Sequence, residues 1–178
     1  KIENTVQGAV YKLPLKMESG TMRAARNPKD GMIYYSGLTG WQAGATQEGS
    51  VQRLRFTGNN GIYLNKAKAR KHRLELTFSD PVKPDSIQKG IFSATAWNYR
   101  WSKGYGSPSF KVTDPETRGD DKLEIEALDL SKDGKTLTVR IPELLPCHNL
   151  KLDFAVDGAN GGQLSGPVYF TIHELPEI

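Results

Sequence analysis

The chain has little of what most catalytic chemistry depends on. Its 178 residues include one cysteine, Cys147, and three histidines, His72, His148 and His173. A single cysteine excludes an internal disulfide. It also excludes a Cys-x-x-Cys-His haem attachment, which needs two. Cys147 lies in ELLPCHNLKL beside apolar residues, so a buried, inert thiol is expected. No group of His and Cys has the spacing zinc requires. Cys147 and His148 are chain neighbours whose side chains point apart on a strand. No nucleophile has a base oriented by a carboxylate. No apolar run approaches the roughly 18 residues of a membrane span. Lys and Arg number 24 against 20 Asp and Glu, interspersed and with no basic arm, so nucleic acid is not an expected partner. GYGSPS lacks the lysine and the following helix of a phosphate loop. The opening KIENTVQGAV has neither an apolar leader core nor Met and reads as a piece of something longer or as a mature product.

Helical periodicity is nearly missing too. The best candidate, DPVKPDSIQKGI (80–91), carries two prolines and Gly90, which hold it to a turn or so. Short β-rich runs bounded by Gly, Pro, Asn or Asp are frequent: GAVYKLPL (8–15), TMRAAR (21–26), MIYYSGL (32–38) and SVQRLRFT (50–57). NPKDG (27–31) is a turn between the second and third, and 40–50 is a longer loop. Four such strands in succession form a meander, the pattern of one β-propeller blade.

The texture changes near 58–71, where a turn cluster and the cationic NKAKARKH read as a connector between domains. In RLELTFSDPV (73–82), Leu74, Leu76 and Phe78 alternate with polar residues, as in a half-buried strand. Further strands are expected over 91–101, 122–131, 135–142, 149–157 and 166–175, with SKDGK before the third of these five as a hairpin turn. The fold expected is all-β: a four-stranded blade-like meander over 1–60, followed by an immunoglobulin-like β-sandwich over 61–178.

DPETRGDDK (114–122) gathers Asp114, Glu116, Asp120 and Asp121, and hard cations such as calcium want several oxygens. The other reading is a solvated turn, interrupted by Arg118 and closed by Lys122. DGANGG (157–162) reads as a hairpin loop in which glycine supplies positive φ. Glu18 has no evident carboxylate partner for glycoside hydrolysis.

The stretch AWNYRWSKGYGSP (96–108) holds two of the three tryptophans and two of the seven tyrosines. On an extended strand Trp97, Tyr99 and Trp101 share one face at about 7 Å intervals, with Asn98 and Arg100 on the other. Such a ladder can stack on pyranose rings, with Arg100 donating hydrogen bonds and Tyr105, on the glycine-flanked loop, reaching over a site. It can equally pack in a core or a domain interface. Phe92, Ala94 and Ala96 lie on the face opposite Trp97; if theirs is the core face, the aromatics point outward, and a bulge within 94–98 would reverse this.

Three local patterns carry resemblances. Residues 8–42, with ARNPKDGMIYYSGLTGWQ at their centre, resemble the final blade of bacterial quinoprotein-type propellers, relatives of soluble glucose and sorbosone dehydrogenases found fused to c-type cytochrome domains in exported proteins. WNYRWSKGYGSPSFKVTDPETRGDDKLEI (97–125) resembles the segment that follows that blade. LTFSDPVKPDSI with LSKDGKTLTVRIPELLP is similar to bacterial immunoglobulin-like domains. The resemblance implies a secreted or periplasmic location and, as partners, preceding propeller and cytochrome domains of one parent protein. The base, calcium ligands and quinone contacts of such propellers lie in earlier blades, so no haem, quinone or zinc is expected on this chain. The expected role is a non-catalytic accessory module that packs on or targets the propeller and binds carbohydrate through Trp97, Tyr99, Arg100, Trp101 and Tyr105. The alternatives are a purely structural closing domain and an enzyme acting on polysaccharide.

Overall fold

The computed structural model describes residues 5–13, 15–40, 44–55 and 61–177. They form an all-β molecule. Its strands are β1 (Gly8–Tyr11), β2 (Gly20–Arg26), β3 (Ile33–Leu38), β4 (Gly49–Leu54), β5 (Leu64–Arg70), β6 (Arg73–Phe78) and β7 (Ser93–Trp97). The chain continues through β8 (Asp121–Leu123), β9 (Ala127–Leu130), β10 (Thr136–Arg140), β11 (Cys147–Asp153), β12 (Ala155–Asp157), β13 (Gln163–Ser165) and β14 (Val168–Ile172). The only helical pieces among the described residues are 3-10 turns at Pro84–Ser86 and Lys89–Ile91, inside the proline-interrupted stretch. The chain divides into two compact units, Lys1–Lys12 with Asn60–Ile178, and Leu13–Asn59.

The larger unit is a sandwich of two antiparallel sheets, ordered β5-β6-β10-β9 and β1-β14-β11-β7-β8. Taking β5 as strand A, these are the A-B-E-D and G-F-C-C′ orders of an immunoglobulin-type sandwich, with β1 added outside strand G. Period-two alternation builds the core. Leu74, Leu76 and Phe78 of β6 and Leu137 and Val139 of β10 meet Ala94 and Ala96 of β7, Leu150 and Leu152 of β11, and Val168, Phe170 and Ile172 of β14 in one buried cluster. Phe154 sits among Tyr11, Phe78 and Phe92, with ring centroids 6.3 to 6.4 Å apart. Expected turns form where glycine takes positive φ: Gly134 (φ 71) closes β9 to β10, and a Cβ there would meet the Pro81 Cβ at 3.1 Å. The DGANGG loop joins β12 to β13, with Gly158 donating to the Gly162 carbonyl at 2.9 Å.

The smaller unit is a three-stranded meander, β2-β3-β4. NPKDG makes its first turn: the Gly31 amide donates to the Asn27 carbonyl at 2.8 Å, with Gly31 at φ 72. At Gly37 the backbone of Gly20 comes so close that no side chain fits. Ser19 is the one buried residue among the described residues of this unit.

Three expectations need correction. The meander has three strands, and no closed barrel or propeller is found among the described residues. Its expected first strand belongs to the sandwich: β1 pairs with β14 from Gly8↔Thr171 to Tyr11↔Val168. The Tyr11 ring packs on Phe154 and its hydroxyl donates to the Ser165 carbonyl at 3.1 Å, so residues 1–12 leave the expected first domain. Finally, NKAKARKH is no connector. Most of it is β5, paired with β6, with Ala67 and Ala69 turned inward and Lys66 and Lys68 outward on a sheet edge. Residues 56–57 of the expected 50–57 strand and 58–60 of the turn cluster lie outside the described residues, as does Trp41.

Candidate aromatic-loop site

β7 delivers the aromatic stretch. Phe92, Ala94 and Ala96 are buried, so Trp97 lies on the outward face, half-buried, opposite Asn149 of β11. The strand stops there. Asn98 makes one more pair of backbone hydrogen bonds, to Phe110 at 2.8 and 2.9 Å, and the chain between them leaves the sheet as a loop. The expected continuous ladder is therefore broken after Trp97: Tyr99 and Trp101 stand on the loop, not on a strand.

The loop root is braced from several sides. The Asn98 side-chain oxygen accepts from the His148 amide at 2.8 Å, and the Tyr99 amide donates to His148 Nδ1 at 3.2 Å. The Tyr99 and His148 rings lie 4.5 Å apart, which leaves Tyr99 52% exposed. The Arg100 guanidinium sits 4.3 Å over the Phe110 ring and pairs with Glu116 at 2.6 Å, and it also donates to the Pro115 carbonyl. The Arg100 amide donates to Ser107 Oγ at 3.0 Å. Arg100 is thus engaged within the loop rather than free for a ligand.

The tip is bare. Trp101 is 99% exposed and Tyr105 102% exposed, with Lys103 and Gly104 between them. Two large rings held fully in water is the opposite of what core packing produces.

Three of the four acidic residues beside the loop, Asp114, Glu116 and Asp121, are engaged in local contacts. Asp121 accepts from the amides of Val112 and Thr113 at 2.7 and 2.9 Å and from the Thr113 hydroxyl at 2.8 Å. Partial burial works to raise its pKa, but these bonds outweigh it and hold the carboxyl below the usual range. Asp114 accepts from the Thr117 hydroxyl at 2.5 Å and from the Glu116 amide at 3.3 Å, and the Thr117 bond chiefly lowers its pKa. No group of three or more His, Cys, Asp or Glu among the described residues is placed to hold a metal ion.

The remaining chemical candidates are dispersed. Cys147 is buried, and burial pushes its thiol up to about 12, so it holds its proton at neutral pH. His148 faces Tyr99, and His72 Nδ1 donates to the Pro142 carbonyl at 2.6 Å. No family model matches the chain, and neither a curated protein nor a solved structure matches it. What fold and site define together is a β-sandwich module carrying a braced, aromatic-tipped loop.

Proposed function

We propose that the chain is a non-catalytic, exported accessory module that binds polysaccharide through the Trp101–Tyr105 loop tip. The observation that carries this reading is the full exposure of both rings on a loop whose root is fixed. A pyranose ring offers one flat apolar face, and an exposed indole stacks on it while the sugar hydroxyls stay in water. Fixing the root by Arg100 and Asn98 lowers the ordering cost of binding. The protonated, buried Cys147 and the separate engagements of His72 and His148 support a non-enzymatic role. On the resemblance of residues 8–42 and 97–125, the partners are the propeller and cytochrome domains of one exported redox protein, which the module would hold near a polysaccharide.

A structural closing role is the second reading. It is favoured by the smaller unit, whose three-stranded sheet has one buried residue among those described and so gains little stability alone.

Affinity electrophoresis through soluble neutral glucans tests the binding reading. Wild type should be retarded by at least one of them. Trp101→Ala and Tyr105→Ala should abolish the retardation while the melting temperature stays within about 2 °C, since neither ring is buried. Unretarded wild type across neutral glucans, with a large stability loss in either variant, would favour the structural role.

A further inference from the structure

The second sheet carries a different surface. On the outward side of β5-β6-β10-β9, the register places Arg70 opposite Arg73 and Arg73 opposite Arg140, three arginines in one row across three strands. The next row is Lys68, Glu75, Thr138 and Asp129, and the one after it Lys66, Thr77 and Thr136. Their inward neighbours Ala69, Leu74 and Val139 are buried, which fixes the arginines on the solvent side. The face holds no large apolar side chain.

Like charges directly opposite each other on adjacent strands destabilise a sheet. Here the three arginines share two carboxylates: Arg73 Nε donates to Glu75 at 2.9 Å, with Arg70 Nε at 4.0 Å from the same carboxylate, and Arg140 Nε donates to Asp129 at 2.6 Å. Lys66 and Lys68 form no ion pair among the described residues. An open cleft of about 640 Å³ lies at the arginine end, lined by Lys71, His72, Arg73, Arg140, Glu126 and Asp129. His72 holds the turn beside it in a left-handed conformation (φ 62), where glycine is the favoured residue.

The geometry points to this face as a binding surface for an acidic polysaccharide, a chain of sugars carrying carboxylate or sulfate groups. Unlike Arg100, whose terminal nitrogen is taken, these arginines meet their carboxylates through Nε, so their terminal nitrogens in a row fit oxoanions spaced along a polymer. Glu75, Asp129 and the threonine hydroxyls accept hydrogen bonds from sugar hydroxyls. A phosphodiester backbone offers few hydroxyl donors to Glu75, Asp129 and the threonines, and this favours a glycan over nucleic acid. The surface stands apart from the aromatic loop, which lies on the strands of the other sheet, and it does not depend on the loop's function.

Affinity electrophoresis of the whole chain through polygalacturonate and dextran sulfate tests this, with uncharged dextran and duplex DNA in parallel. Wild type should be retarded by at least one acidic glycan, with retardation lost at about 0.5 M salt. The double variant Arg73→Gln/Arg140→Gln should bind at least ~tenfold more weakly. Its melting temperature should hold or rise, because the like-charge row is relieved. Trp101→Ala should keep the acidic-glycan binding, which separates this surface from the loop. The proposal is overturned by unretarded wild type, by unchanged binding in the double variant, or by DNA binding as tight as that of the acidic glycans.

Discussion

Arg100 shows how one residue decides what its neighbours can do. By stacking on Phe110 and pairing with Glu116 it closes the base of the loop, and the rings beyond it have no partner among the described residues. Asp121 does the same on the other flank, gathering two amides and a hydroxyl. Its folded-state pKa is lowered, so the stability it contributes is fully present above its unfolded value and is lost as pH falls through the folded one. NMR titration should place the Asp121 carboxyl below the ordinary value of about 3.9, with the amides of Val112 and Thr113 losing hydrogen-exchange protection as it protonates. Asp121→Ala should cost about 1 kcal/mol, modest because the site is only partly shielded from water. An Asp121 that titrates normally would remove this support from the loop. That Tyr105 would be exposed was legible from its glycine neighbours, whereas the outward face of Trp97 followed only on the condition that Phe92, Ala94 and Ala96 form the core face. The bracing was not, because Arg100, Phe110, Glu116 and His148 are brought together only by the fold.

At the scale of strands and turns, sequence was informative where pattern is local. The alternation of Leu74, Leu76 and Phe78 marks a strand because one face must reach a core, and SKDGK and DGANGG mark hairpins because glycine is the favoured residue at their positive-φ positions. β5 leaves no such mark: its inward residues, Ala67 and Ala69, are too small to write a hydrophobic period, and its outward lysines look like a solvated connector. Those lysines suit an edge strand, where charge discourages pairing with other chains. Local pattern marks β1 as a strand but not its sheet, since pairing with β14 across more than 150 residues leaves no mark in local sequence. The end of β7 at Trp97 was likewise hidden, because the Asn98–Phe110 closure is set by the loop's far side. The strands that do carry the core should answer to truncation. Leu74→Ala, at a side chain with no exposed surface, should cost about 3 kcal/mol and lower the melting temperature by roughly 10 °C. A thermal scan that finds no change would mean that the two sheets do not share one core.

At the scale of the whole molecule, the two units differ in what holds them. The sandwich unit owns a continuous core, and the smaller unit owns a hydrogen-bonded sheet with exposed Met22, Leu38 and Val51. Hydrogen exchange should therefore be slow in β6, β10, β11 and β14 and much faster in β2, β3 and β4, because opening free energy follows buried apolar contact. Equal protection in both would show that the smaller sheet is covered by more than its own residues. Against this background the loop tip is the feature that folding does not explain, and binding is the claim that accounts for it. The most direct measurement is tryptophan emission during titration with a soluble neutral glucan. A ring that moves from water onto a sugar face should shift its emission to shorter wavelength in wild type and in Trp97→Phe, and the shift should vanish in Trp101→Ala. A shift that persists in Trp101→Ala, or none in wild type with any neutral glucan, would contradict the account.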